Sequence, residues 1–142
     1  IIEALWLEAR DDFKNAKFLA EKESYSKVVY LCQQALEKLM KICLACEGIV
    51  DVKAHEITGL FGKYVVLKSG DWEERLKELG KPMRKLEREY RRLRYPLRTP
   101  KGIWIPSKGY HKEDALEALD TAEEGFGVIP KFLRERYNLD LE

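Results

Sequence analysis

Between Tyr25 and Cys43, apolar residues recur at three- and four-residue steps: Tyr25, Val28, Val29, Cys32, Ala35, Leu36, Leu39, Met40 and Cys43. Steps of that size place side chains on one face of an α-helix, and Tyr30, Leu31 and Leu44 widen the arc beyond the stripe of an ordinary surface helix. A helix so broadly apolar has to be covered on several sides. The remainder of the chain must therefore supply other helices to cover it. Ser24 is placed to cap its start and Gly48 to stop it.

The covering helices are legible by the same spacing. Leu5, Ala9, Phe13, Ala16 and Ala20 predict a first helix over about residues 3–22, with charged residues between them. Ile57, Leu60, Phe61 and Tyr64 predict a short helix from about Ala54 to Val66, weakened by Gly59 and Gly62. From Trp72 through Leu76, Leu79, Met83, Leu86 and Tyr90 to Leu93 the seam never loses phase, so one long helix kinked at Pro82 is expected, with two shorter helices as the alternative. Ala115, Leu119, Ala122, Phe126, Ile129 and Leu133 predict a last helix from about Lys112 to Leu133, bent or ended by Pro130. The stretch Arg94 to Tyr110 holds Pro96, Pro100, Pro106, Gly102 and Gly109 and reads as an irregular loop, with no convincing strand pair anywhere. These elements predict an all-α fold, an antiparallel up-and-down helical bundle of four longer helices plus one short helix, spanning residues 1–142 as a single domain. Its core is expected to hold Cys32, Ala35, Leu36, Leu39, Leu86, Tyr90, Leu119 and Ala122.

Charge and cysteine content exclude several function classes. Lys and Arg number 26 against 25 Asp and Glu, a formal net charge of +1, so the global balance selects no partner. No apolar run approaches the ~20 residues needed to cross a bilayer, and the acidic start does not read as a secretory leader. Three cysteines cannot all pair within one chain, so a reducing, cytoplasmic location is expected. Cys43 and Cys46 form a Cys-x-x-Cys pair near a helix end without the second pair that a zinc site needs, and His55 and His111 are far apart in sequence. No metal and no cofactor are expected.

Local charge is far from balanced. Between Arg84 and Lys101, eight basic residues (Arg84, Lys85, Arg88, Arg91, Arg92, Arg94, Arg98, Lys101) face two acidic ones, Glu87 and Glu89, a local net charge of +6. On a helix, Lys77, Lys81, Arg84, Arg88 and Arg91 share one face opposite the apolar seam. Such a strip attracts phosphates, and Tyr95, Trp104 and Tyr110 supply rings on which bases can stack; a merely solvated helix face is the alternative. The last helix has the opposite sign, with Glu113, Asp114, Glu117, Asp120, Glu123 and Glu124 inside twelve residues free of Lys and Arg. Complementary stripes favour association with a second copy or an oppositely charged partner.

Gln33-Gln34-Ala35-x-Glu37-Lys38, His55-x-Ile57-x-x-Leu60, Tyr90 with Arg94-Tyr95-Pro96, and Tyr110 with Asp114-Ala115 follow one another in an order and spacing that resembles the HEPN family (higher eukaryotes and prokaryotes nucleotide-binding). The resemblance runs from about Glu3 to Ile129. It implies a helical bundle, commonly a homodimer, and for small stand-alone prokaryotic members a pairing with a minimal nucleotidyltransferase in a toxin–antitoxin system. Many members are metal-independent ribonucleases that use an Arg followed, after four to six residues, by a His. Here the positions ahead of His55 hold Gly48, Ile49 and Val50, and those ahead of His111 hold Trp104, Ile105 and Pro106, so that signature is absent. Leu97 also follows Arg94-Tyr95-Pro96 where related sequences often carry Asp. An arginine stabilises phosphate charge but is a poor base. The expected function is thus an interaction subunit, leaning away from enzymatic activity, that partners a minimal nucleotidyltransferase and binds nucleotide or RNA through Arg84, Arg88, Arg91, Arg94, Tyr95, Arg98, Lys101 and Trp104. The alternatives are a ribonuclease toxin with a nonstandard site of Arg94 and His111, and a purely structural homodimer.

Overall fold

The computed structural model describes residues 1–53 and 56–141. Its chain runs α1 (Ile2–Glu21), α2 (Tyr25–Cys46), α3 (Ile57–Tyr64), two 3₁₀ turns (Val66–Lys68 and Gly70–Trp72), α4 (Glu73–Glu87), α5 (Tyr90–Arg94), a hairpin of β1 (Leu97–Thr99) and β2 (Gly102–Trp104), α6 (Pro106–Gly109) and α7 (Lys112–Tyr137). The expected four longer helices are α1, α2, α4 and α7, and the expected short helix is α3.

α2 lies at the centre, packed against α1 and α7 along its length and against α3, α4 and α5 at its sides. Cys32, Ala35, Leu36, Leu39 and Cys43 are sealed from solvent, which is why its apolar arc is wider than one stripe. Its backbone turns out of the helix at Gly48, whose φ of +80° is the left-handed region that a side chain disfavours. At Gly125, a Cβ would stand 2.6 Å from a methyl of the buried Leu36, so a side chain there would force the Leu36 tip to move. Ala122 is buried as expected, whereas Leu86, Tyr90 and Leu119 are only half-buried at the edge of the core.

Two expectations about the second half are corrected. Pro82 lies inside α4 without ending it, and the break comes later, at Arg88 and Glu89. Both of those residues keep helix-like backbone angles (φ −65°, ψ −19° and φ −85°, ψ 0°); the Arg88 N–H still donates to the Arg84 carbonyl and the Glu89 N–H donates to the nearer Leu86 carbonyl, so side-chain phase survives a local change of hydrogen-bond step. The Arg94–Tyr110 stretch is not an irregular loop. Leu97, Arg98 and Thr99 pair antiparallel with Trp104, Ile103 and Gly102, and the turn between them has Pro100 and Gly102 at favourable turn positions. At the far end α7 runs through Pro130 to Tyr137 and is stopped by Asn138 at φ 54°.

Among the described residues, no helix is long and apolar enough to cross a membrane, and no group of three or more His, Cys, Asp or Glu side chains could hold a metal ion. All three cysteines are free thiols. Burial pushes the Cys32 thiol up to about 12 and raises Cys43 further, so neither is a ready nucleophile.

Candidate functional site

The break between α4 and α5 creates an open groove of about 520 Å³ against the start of α3. Arg84, Glu87, Arg88, Tyr90, Arg91 and Tyr95 line one side, and Glu56, Thr58 and Gly59 line the other. One carboxylate is already committed. Glu87 accepts the Thr58 backbone N–H at 2.9 Å and the Thr58 hydroxyl at 2.7 Å, which satisfies the free amide at the α3 N-terminus and fixes that helix to the end of α4. The guanidinium groups of Arg84, Arg88 and Arg91 form no ion pair among the described residues. They are exposed side chains gathered at one concave surface, the arrangement that draws phosphate oxygens.

Tyr95, 55% exposed, presents its ring at the groove's edge. Arg94 points elsewhere. It donates to the Tyr90 hydroxyl and lies over the Tyr90 ring at 4.6 Å, with Tyr95 at 5.9 Å and Tyr30 at 6.0 Å from the guanidinium. This stacking braces the wall of the groove, and Arg94 does not line it. Arg98 and Lys101 are exposed on the hairpin, outside the groove lining.

Trp104 is not a free stacking platform. Its indole N–H donates to the Arg92 carbonyl at 2.8 Å, the Arg92 guanidinium covers its ring at 4.0 Å, and Gly109 presses so close that any side chain there would overlap the ring. The Tyr110 ring meets it edge-on at 5.6 Å and is itself only 8% exposed. Trp104 thus clasps the hairpin to α5, and both rings serve packing. Burial, then the neighbouring Glu89 carboxylate, holds the Tyr110 hydroxyl above the ordinary phenol range.

The structure does not draw Arg94 and His111 together into a reactive pair through any hydrogen bond among the described residues. Arg94 is held by Tyr90, while His111 opens α7 with its backbone N–H on the Asp114 carboxylate at 2.7 Å. His55 lies outside the described residues. On α7 the acidic face stays exposed, tied to the basic side through Lys85, whose ammonium meets Glu117 at 2.7 Å.

Comparison with known proteins adds three findings. A family model described as HEPN domain matches residues 2–130. A protein of Methanocaldococcus jannaschii named "Putative toxin MJ1304" is 35% identical over 133 residues, covering 92% of this chain and 87% of that protein. The crystal structure of TT1696 from Thermus thermophilus superposes with a TM-score of 0.72 at 24% identity, covering 93% of this chain and 98% of the other, and so shares its fold.

Proposed function

This chain belongs to the HEPN domain family, and from that premise we propose that it is the interaction subunit of a toxin–antitoxin-type pair, partnered by a minimal nucleotidyltransferase and holding nucleotide or RNA phosphates in the Arg84–Arg88–Arg91 groove. The observation that carries the reading is that groove: three guanidiniums without an ion pair among the described residues and the exposed Tyr95 ring converge on one concavity, although they come from two separate helical segments and the turn after them. Solvated charges scattered for solubility have no reason to converge in this way. The resemblance to a protein named as a toxin supports the toxin–antitoxin setting.

The chemistry supports binding over cleavage. Cleavage of RNA through its 2′-hydroxyl requires a group that moves protons near neutral pH, and guanidinium does not. The family's Arg–His signature is absent from this sequence. The protein acts in the cytoplasm, consistent with three free thiols, and self-associates as a homodimer that leaves the basic groove open.

The test is co-expression with any small nucleotidyltransferase found in the neighbouring reading frame, followed by co-purification and RNA cleavage assays with and without that partner. A stable complex and no cleavage in either arm is the expected result. Failure to form a complex removes the partner role. Robust cleavage that disappears in His111→Ala replaces this reading with the ribonuclease one.

A further inference from the structure

Resting on the reading of the groove as a phosphate-binding site, we propose that the site continues beyond Arg84 as a track for a single-stranded RNA segment of about four nucleotides, with Lys77 and Lys81 as additional phosphate contacts. A second concavity of about 320 Å³ lies between α3 and α4, lined by Phe61, Gly62, Leu67, Lys77, Gly80 and Lys81 among others. It shares Thr58 and Arg84 with the first. The two concavities therefore adjoin, and the cations that line them are those of a single face: Lys77, Lys81, Arg84, Arg88 and Arg91.

Within α4, Lys77 to Arg84 extend over about 10 Å at the helical rise of 1.5 Å per residue, and Arg88 and Arg91 continue the row beyond the end of that helix. That is longer than one nucleotide and suits a short strand. Lys77 meets Glu73 at 3.9 Å and Lys81 meets Glu78 at 2.9 Å, with all four side chains 42–67% exposed. Exposed pairs of this kind contribute little and yield readily to a phosphate. Gly62 and Gly80 line the second concavity, and an added Cβ at either would meet nothing within 4 Å. Internal packing therefore does not require glycine at either position, and each weakens its helix relative to alanine. At one end stands the exposed ring of Tyr95 and at the other the exposed side chain of Leu67, so a strand has ring and apolar contact for its bases while its phosphates meet the cations. The ring and the row of cations along the axis favour RNA over an acidic protein segment as the occupant.

The experiment measures fluorescence anisotropy of labelled uridine monophosphate and oligouridylates of two, four and six nucleotides across a salt series. Wild-type affinity is expected to rise with length up to four nucleotides and then level off, with the salt slope steepening by about 0.7 per added phosphate contact. Lys77→Ala with Lys81→Ala should weaken the tetranucleotide about tenfold and leave the mononucleotide unchanged. Gly80→Leu, which has room for a side chain, should show the same split without loss of helix content. Affinity independent of length, or equal weakening of mononucleotide and tetranucleotide by the lysine variants, overturns the track while leaving the groove reading intact. No binding at any length removes the groove reading and the track with it. An octaglutamate peptide that outcompetes the tetranucleotide, and loses its hold in the lysine double variant, makes these concavities a protein dock and overturns the proposal.

Discussion

Both oxygens of Glu87 are used by a single residue, Thr58, and this one contact decides where α3 begins. Glu87→Ala leaves the Thr58 amide uncapped and should cost about 1 kcal/mol of stability. Hydrogen exchange would show the loss concentrated in Ile57–Tyr64; uniform protection across α3 in the variant would contradict it. Tyr137 offers a second test. Its hydroxyl donates to Glu47 at 2.5 Å, and burial, followed by that hydrogen bond, raises it above the ordinary phenol range. In the unfolded chain the phenol ionises near pH ~10. The folded state holds its proton longer, so this stabilisation is complete below that pH and is lost as pH rises further. Urea midpoints at pH 8 and pH 10.5 should fall less steeply for Tyr137→Phe than for wild type, and equal falls would refute the assignment. Trp104, enclosed by Arg92 and Gly109, belongs with these packing residues: its truncation is expected to appear as lost thermal stability of the hairpin.

Among the elements, α2 explains why so much of the fold was legible in the amino-acid order. Its arc demanded cover on several sides, and only helices with matching stripes were available to provide it. Leu39 is completely buried, and Leu39→Ala should cost ~2–5 kcal/mol, measured by chemical denaturation. A cost below ~1 kcal/mol would show that the site collapses around the void, and α2 would not be the rigid centre described above. The place of the α4–α5 break was illegible for a physical reason. Arg88 and Glu89 preserve helical phase, so a seam that counts side-chain positions cannot register a local change from four-residue to three-residue hydrogen bonding. Three-residue strands are likewise too short for alternation to stand out, and the Thr99-Pro100-Lys101-Gly102 turn was the only local sign of the hairpin. The groove was legible as a set of charges but not as a shape. Arg84, Arg88, Arg91 and Tyr95 could be named in advance, whereas the opposing wall of Glu56, Thr58 and Gly59 depends on how α3 docks.

At the scale of the molecule, charge is sorted by location: the basic concavities follow α3, α4 and α5, and the acidic face follows α7. Self-association as a two-fold dimer predicts a light-scattering mass near twice the 16.6 kDa chain, and a mass fixed at the monomer value across micromolar concentrations would contradict it. The most direct test of phosphate binding is the salt dependence of single-stranded RNA affinity for wild type and for Arg88→Ala with Arg91→Ala. Wild-type affinity should fall linearly on logarithmic axes as salt rises, and the double variant should bind more weakly with a slope flatter by about 1.4, because two fewer phosphates release their counterions. Its folding stability should barely change, since exposed charges contribute little to the folded state. Affinity that ignores salt, or a double variant that binds as wild type does at every salt concentration, would contradict the phosphate-binding groove.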